Sequence, residues 1–200
     1  MPDSDSRLDP SRTALLVMDY QRGVLDRLPE SDTPLDAAAR AIEMVRRAGG
    51  LIAYVRVAFD DADFDAIPET SRMGQRVAAA GRSFHIDSPA TQIHDRIAPE
   101  PGDLVVRKTR VGAFSTTDLD AQLRDRGVDT LILAGVATSG VVLSTVRDAS
   151  DRDYVLFVLA DATADSEADV HNFLVTRILP RQAEVITTDA LEVMLGPKMI

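Results

Sequence analysis

The sequence predicts an α/β fold, a three-layer α/β/α sandwich built on a mainly parallel sheet. Three observations predict it. Short, nearly continuous apolar runs recur along the chain, as strands buried on both faces do. Segments with apolar residues at helical spacing separate those runs. Right-handed crossovers between such strands lay helices on both faces of one sheet. The 200 residues suit a single domain over 1–200, and 45% apolar with 27% charged residues is ordinary for a globular chain.

The elements follow in order. Residues 1–12 form a polar N-terminal extension. Residues 13–19, TALLVMD, are an apolar strand ending in an acid. Residues 34–48 carry helical spacing, and Gly49-Gly50 stops that helix. Residues 51–57, LIAYVRV, are rich in β-formers. The stretch 58–102 mixes prolines, glycines and acids, and reads as a long loop with short helices. A strand at 104–108, LVVRK, precedes a short helix at 118–126 started by Thr117 or Asp118. The next strand is 129–134 and the next helix 139–152. Residues 154–160, YVLFVLA, are a continuous apolar strand. A helix over 166–179, a strand over 183–187 and a final helix from about Thr188-Asp189 complete the chain.

Composition narrows the function. A net charge of −10 lacks the clustered positive footprint of a nucleic-acid binder and disfavours an anionic membrane surface. No apolar run spans a bilayer, and the N-terminus lacks the apolar core of a signal peptide, so a cytoplasmic protein is expected. The chain has no cysteine, which removes disulfides, thiolate metal sites and thiol catalysis together. His85, His94 and His171 show no ligand spacing, so neither a metal nor another cofactor is expected. Asp60, Asp61, Asp63 and Asp65 lack the glycine and terminal glutamate of a calcium loop and read as a solvated segment.

In open parallel sheets, ligands bind beyond the carboxyl ends of the strands. Asp19, Lys108 and the turn 135–141 all fall at such ends. Asp19 suits an acid or base whose pKa burial raises, or a helix N-cap. Lys108 shares a strand face with Val106 and suits a clamp for a carboxylate or an anionic substrate, or a lysine reaching to water. Of 22 Lys plus Arg, only Lys108 and Lys198 are lysines, so arginine is the usual solvent-facing cation here. The turn supplies backbone N–H donors at a helix start, or is a plain turn capped by Thr138 or Ser139. Ser139 and Ser144 have no histidine at recognisable spacing and read as capping or packing residues. Phe114 walls a pocket or fills core.

Four segments together resemble the isochorismatase-like hydrolases, which include cysteine hydrolases of amides. They are ALLVMDYQ at 14–21, VRKTRVGAFSTTDLD at 106–120, LILAGVATSGVVLSTVRDASDRDY at 131–154 and VLADATAD at 158–165. The resemblance runs from about Thr13 to Leu195 and implies an isochorismatase-like, Rossmann-like fold. It implies an Asp-Lys-Cys triad in which Asp19 and Lys108 are present and Val141 stands at the cysteine. It also implies a cis peptide at Val136–Ala137, and oxyanion donors on the backbone of Ala137 and Val141. Substrate contacts are expected from Gln21, Arg110, Phe114 and Thr138, and assembly into a homo-oligomer, a dimer or tetramer.

Valine forms no thioester, so the expected chemistry is noncovalent, as in true isochorismatases, which also lack this cysteine. There the aspartate acts as general acid on a vinyl ether. Lys108-Thr109-Arg110 and Phe114 resemble that branch. Tyr54-Val55-Arg56-Val57-Ala58 lacks its substrate glutamine, and Val141 fills space that is often left by glycine. Three readings stand: a noncovalent hydrolase of a small anionic metabolite, an inactive family member that binds a metabolite or serves assembly, and a hydrolase that recruits Ser139 or another hydroxyl.

Overall fold

A computed structural model describes residues 7–196. Six strands form one sheet: β1 (Thr13–Met18), β2 (Leu51–Val57), β3 (Leu104–Lys108), β4 (Thr130–Val136), β5 (Val155–Ala164) and β6 (Glu184–Ile186). Their order is β3-β2-β1-β4-β5-β6, and every pairing is parallel. The helices are α1 (Arg22–Leu25), α2 (Asp32–Ala48), α3 (Asp61–Asp65), α4 (Arg72–Ala80), α5 (Leu119–Arg124), α6 (Leu143–Asp151), α7 (Ala168–Phe173) and α8 (Thr188–Leu195). No helix among the described residues is long and apolar enough to cross a membrane.

Alternation along the central strands builds two cores. Ala14, Leu16 and Met18 face one side with Leu119, Leu123 and Val146 of α5 and α6. Leu15 and Val17 face the other with Leu35, Ala38, Ile42 and Val45 of α2 and Leu191 of α8. Truncating Leu16, which is fully buried, to alanine should cost about 2–5 kcal/mol. A drop in the urea midpoint with unchanged slope is the check.

The order sets a topological switch point between β1 and β4. The chain leaves β1 toward β2 and β3 on one side, then crosses to β4, β5 and β6 on the other. Loops after β1 and β4 therefore diverge, the place where ligands bind in sheets of this kind. Asp19 follows β1, and Ala137 follows β4.

Several boundaries differ from expectation for identifiable reasons. β4 continues to Val136 because Gly135 and Val136 pair with Thr163 and Ala164 of β5. β5 reaches Ala164 through a break in register between Leu133–Val158 and Gly135–Thr163. The extra residues work: the Ala162 carbonyl accepts from the Tyr20 hydroxyl, and Asp161 accepts from the Thr188 N–H (3.0 Å) and hydroxyl (2.5 Å), docking the start of α8. The expected helix over 166–179 is α7, then a wide turn Leu174–Ile178 and a tight turn Leu179–Arg181. Pro180 has no N–H to continue it. The helix expected over 139–152 begins with a wide turn, Thr138–Val142, before α6. α2 ends as expected: Gly49 adopts φ 89°, and the Gly50 N–H returns to the Val45 carbonyl at 2.9 Å.

The irregular stretch after β2 holds α3, α4 and three short turns, with a small core of Phe59, Val77, Phe64 and Met73. Part of the expected polar extension is docked, since the Leu8 N–H meets the Met194 carbonyl and Arg12 pairs with Asp129. Lys198 and residues 1–6 lie outside the described residues.

Candidate functional site

Asp19 is set by a sharp reversal at the end of β1. Its N–H donates to the Val55 carbonyl (2.8 Å), and its carbonyl accepts from the Gln21 N–H (2.7 Å). The residue sits in the left-handed region, φ 58°, which aspartate tolerates better than most side chains. Such backbone strain clusters at functional sites. The carboxylate is almost wholly buried, and Lys108 Nζ lies 2.8 Å from Oδ2. Oδ1 is buried with no hydrogen-bond partner among the described residues. Burial pushes the Asp19 pKa above the usual carboxylate value, and the charge and hydrogen bond of Lys108 act against that rise.

Lys108 ends β3, and its side chain is 2% exposed. Beyond Asp19, its ammonium donates to the carbonyls of Arg110 (3.1 Å) and Val111 (2.9 Å). The loop after β3 thus wraps the lysine and uses all three of its protons. The alternatives of a helix cap for Asp19 and a lysine reaching to water do not describe these contacts.

The Val136–Ala137 peptide is cis. From Ala137 the chain makes a wide turn in which the N–H groups of Gly140 (3.1 Å) and Val142 (3.3 Å) both reach the Ala137 carbonyl. Gly135 allows this turn to approach β1. A Cβ there would stand 3.1 Å from Met18 Cβ, Met18 O and Val142 Cγ2. Gly135→Ala should therefore destabilise by about 1–3 kcal/mol, because two of those contacts cannot yield without moving β1. Chemical denaturation reads it directly.

The remaining expected residues divide. Val141 is 2% exposed and packs in the same core as Met18, Val106 and Leu133. Thr138 is fully buried, with its hydroxyl 2.8 Å from His171 Nδ1. The Arg110 guanidinium donates to the Thr109 carbonyl (2.7 Å) and has no carboxylate partner among the described residues. Gln21 is buried and structural in its bonding: Nε2 donates to the carbonyls of Val57 (2.8 Å) and Thr91 (2.7 Å), and Oε1 accepts the Val57 N–H (2.7 Å). Both of its amide protons are spent on β2 and the 58–102 stretch. Phe114 lies in the core, stacked on Tyr154 with centroids 6.1 Å apart. Tyr154 immediately precedes β5, at the amino end of that strand.

Other flagged residues serve locally. Ser139 is exposed, and Thr145 rather than Ser144 ties α6 to the loop after β3, accepting the Ala113 N–H at 3.1 Å. His94 Nδ1 accepts the Arg96 N–H (3.3 Å), and His85 stacks on Phe64. Asp60 and Asp63 cap α3 reciprocally and pair with Arg107. No group of three His, Asp or Glu gathers at metal-binding distance among the described residues.

Two residues near the turn were not read as site residues from the sequence. His171 meets Thr138, and Asp165 Oδ2 accepts the Ser139 N–H at 2.7 Å. His171 is far from Thr138 in sequence, so no local spacing marks the pair. Asp165 closes the VLADATAD segment but carries no signal of its own.

The profile of the isochorismatase domain matches residues 13–190. The chain belongs to the isochorismatase family. It is 36% identical over 185 residues to the phenazine biosynthesis protein PhzD of Pseudomonas fluorescens, covering 91% of this chain and 86% of that protein. It is 35% identical over 176 residues to the ureidoacrylate amidohydrolase RutB of Methylobacterium radiotolerans, covering 78% and 68% respectively. Its fold is similar to that of a cysteine hydrolase from Pseudomonas syringae pv. phaseolicola, with a TM-score of 0.86 at 26% identity over 94% of each chain. One of these proteins is named as an amidohydrolase and another as a cysteine hydrolase, whereas this chain contains no cysteine.

Proposed function

We propose that this isochorismatase-family hydrolase acts noncovalently on a small anionic metabolite, with Asp19 as general acid/base and Lys108 as its partner. The observation that carries the reading is the buried Asp19–Lys108 pair at the carboxyl ends of the strands, with no donor to Asp19 Oδ1 among the described residues. An unmet buried acceptor is costly, and a substrate O–H, a water or a bound proton relieves it. Burial that raises the Asp19 pKa holds the carboxyl closer to the range where it both gives and takes protons. In this mechanism Asp19 protonates the substrate and recovers a proton from the water that adds to it. Lys108 holds the ionised form of Asp19 in place. The Arg110 guanidinium, bonded to the Thr109 carbonyl and without a carboxylate partner among the described residues, favours a substrate with a carboxylate or similar anion. Backbone N–H groups of Ala137 and Val141 are assigned to developing negative charge. Val141 occupies the nucleophile position and forms no bond to substrate. Homo-oligomeric assembly, as a dimer or tetramer, belongs to the same reading, and sedimentation measures it.

The test is a panel of small anionic vinyl ethers, amides and esters, with intact mass recorded during turnover. Product release with no mass adduct on the protein is expected. A trapped acyl adduct on Ser139 or another hydroxyl overturns the noncovalent mechanism. A second reading rests on Val141 and Asp19 both being nearly sealed from solvent: a family member that binds a metabolite without converting it. That reading requires a raised melting temperature with a panel compound and no turnover of any of them.

A further inference from the structure

We infer that His171 is the positioning residue of the turn after β4, acting through the Thr138 hydroxyl and in concert with Asp165. The inference deepens the proposed function, because it rests on that turn being the one that faces the substrate. Two consecutive residues of the turn are pinned from the same side. Thr138 Oγ1 lies 2.8 Å from His171 Nδ1, and the Ser139 N–H donates to Asp165 Oδ2 at 2.7 Å. Both pins come from the segment that leaves β5 and enters α7. The neighbouring Gly140 and Val142 N–H groups fold back on the Ala137 carbonyl. A fixed Thr138–Ser139 unit therefore sets where the turn's backbone donors point.

Thr138 is fully buried, which suits a strut rather than a nucleophile. With His171 neutral and its proton on Nε2, Thr138 donates and Nδ1 accepts. Burial lowers the His171 pKa below the usual histidine value, while the charge of Asp165 raises it. The charge that bears on its ionisation is Asp165 after β5; Thr138 on the turn is uncharged, and Glu167 and Asp169 on its own segment are both exposed. On protonation, the imidazolium and the Asp165 carboxylate attract one another. His171 Nδ1 can then no longer accept from the Thr138 hydroxyl, and the attraction competes with the hold of Asp165 on the Ser139 N–H. One ionisation acts on both pins.

The experiment is amide hydrogen exchange by NMR on the full chain without any substrate, following Gly140 and Val142, with β1 amides as reference. In the parent protein, the two turn amides should lose protection as pH falls through the His171 pKa, after correction for intrinsic exchange. His171→Ala should speed their exchange by about tenfold or more at neutral pH while β1 stays protected. His171→Asn, which keeps a neutral hydrogen-bonding group, should restore most of the protection and abolish its pH dependence. The inference is overturned if turn exchange ignores both pH and substitution, or if His171→Asn keeps the parent's pH dependence. Should His171→Ala fail to fold, the contrast between parent and His171→Asn decides alone. Because no substrate enters, this outcome is independent of whether Asp19 proves to be the acid/base.

Discussion

Asp19→Asn should lower turnover of an identified substrate by about 10²–10⁴-fold, the usual contribution of a positioned acid or base. The side chain keeps its shape, so the loss isolates proton transfer. Asparagine still offers Lys108 an oxygen, and the ammonium keeps the Arg110 and Val111 carbonyls. Folding should therefore change far less than activity, and full activity in a folded Asp19→Asn protein would falsify the assignment. The pH profile gives an independent check. If Asp19 acts first as an acid, kcat/KM falls as pH rises through its pKa. Burial moves that point above the carboxylate's ordinary 3.8. The same shift has a stability sign. A carboxyl whose folded pKa is raised contributes stability that is fully present below 3.8 and is lost as pH rises through the folded value. The ionised site is thus less stable than its protonated form, a cost that a structural residue has no reason to carry.

The strands were legible because a buried parallel sheet writes itself as short apolar runs, and Thr13–Met18, Leu51–Val57 and Leu104–Lys108 match such runs. Strand ends also made the Asp19–Lys108 meeting legible, since the parallel order brings carboxyl ends to one edge whatever the loops do. What was not legible depends on long-range register or on loops. The break in register that carries β5 to Ala164 is set by pairing with Gly135 and Val136, not by local propensity. Gln21 offered the polar group expected at a ligand site, but its partners Val57 and Thr91 come from segments distant in sequence. Phe114 was ambiguous for the same reason: an aromatic in a loop is core or wall according to what folds over it, here Tyr154. His171 reaches Thr138 only because α7 packs beside the turn, a tertiary fact with no sequence periodicity.

Lys108→Met should cost about 3–5 kcal/mol at neutral pH, the penalty for removing one partner of a buried ion pair. Methionine fills similar volume, so packing contributes little. The loss falls on Asp19, whose Oδ1 already has no partner among the described residues and whose Oδ2 then loses its cation. The Arg110 and Val111 carbonyls lose their donor as well. The pH dependence separates these parts. Without Lys108 the Asp19 pKa rises further, since the lysine is what opposes burial. The window between 3.8 and the folded pKa widens, and stability lost across it grows. The gap between parent and variant should accordingly be smallest in acid, where Asp19 is protonated in both, and should open as pH rises. Urea midpoints along a pH series measure it. Adding Asp19→Asn to Lys108→Met removes the stranded charge, so the double variant should regain most of the stability at neutral pH while remaining inactive. A double variant no more stable than Lys108→Met would mean that the lysine acts by holding the loop after β3 rather than by neutralising Asp19. A double variant as stable as the parent would mean that the pair is kept for chemistry, because the fold stands without it.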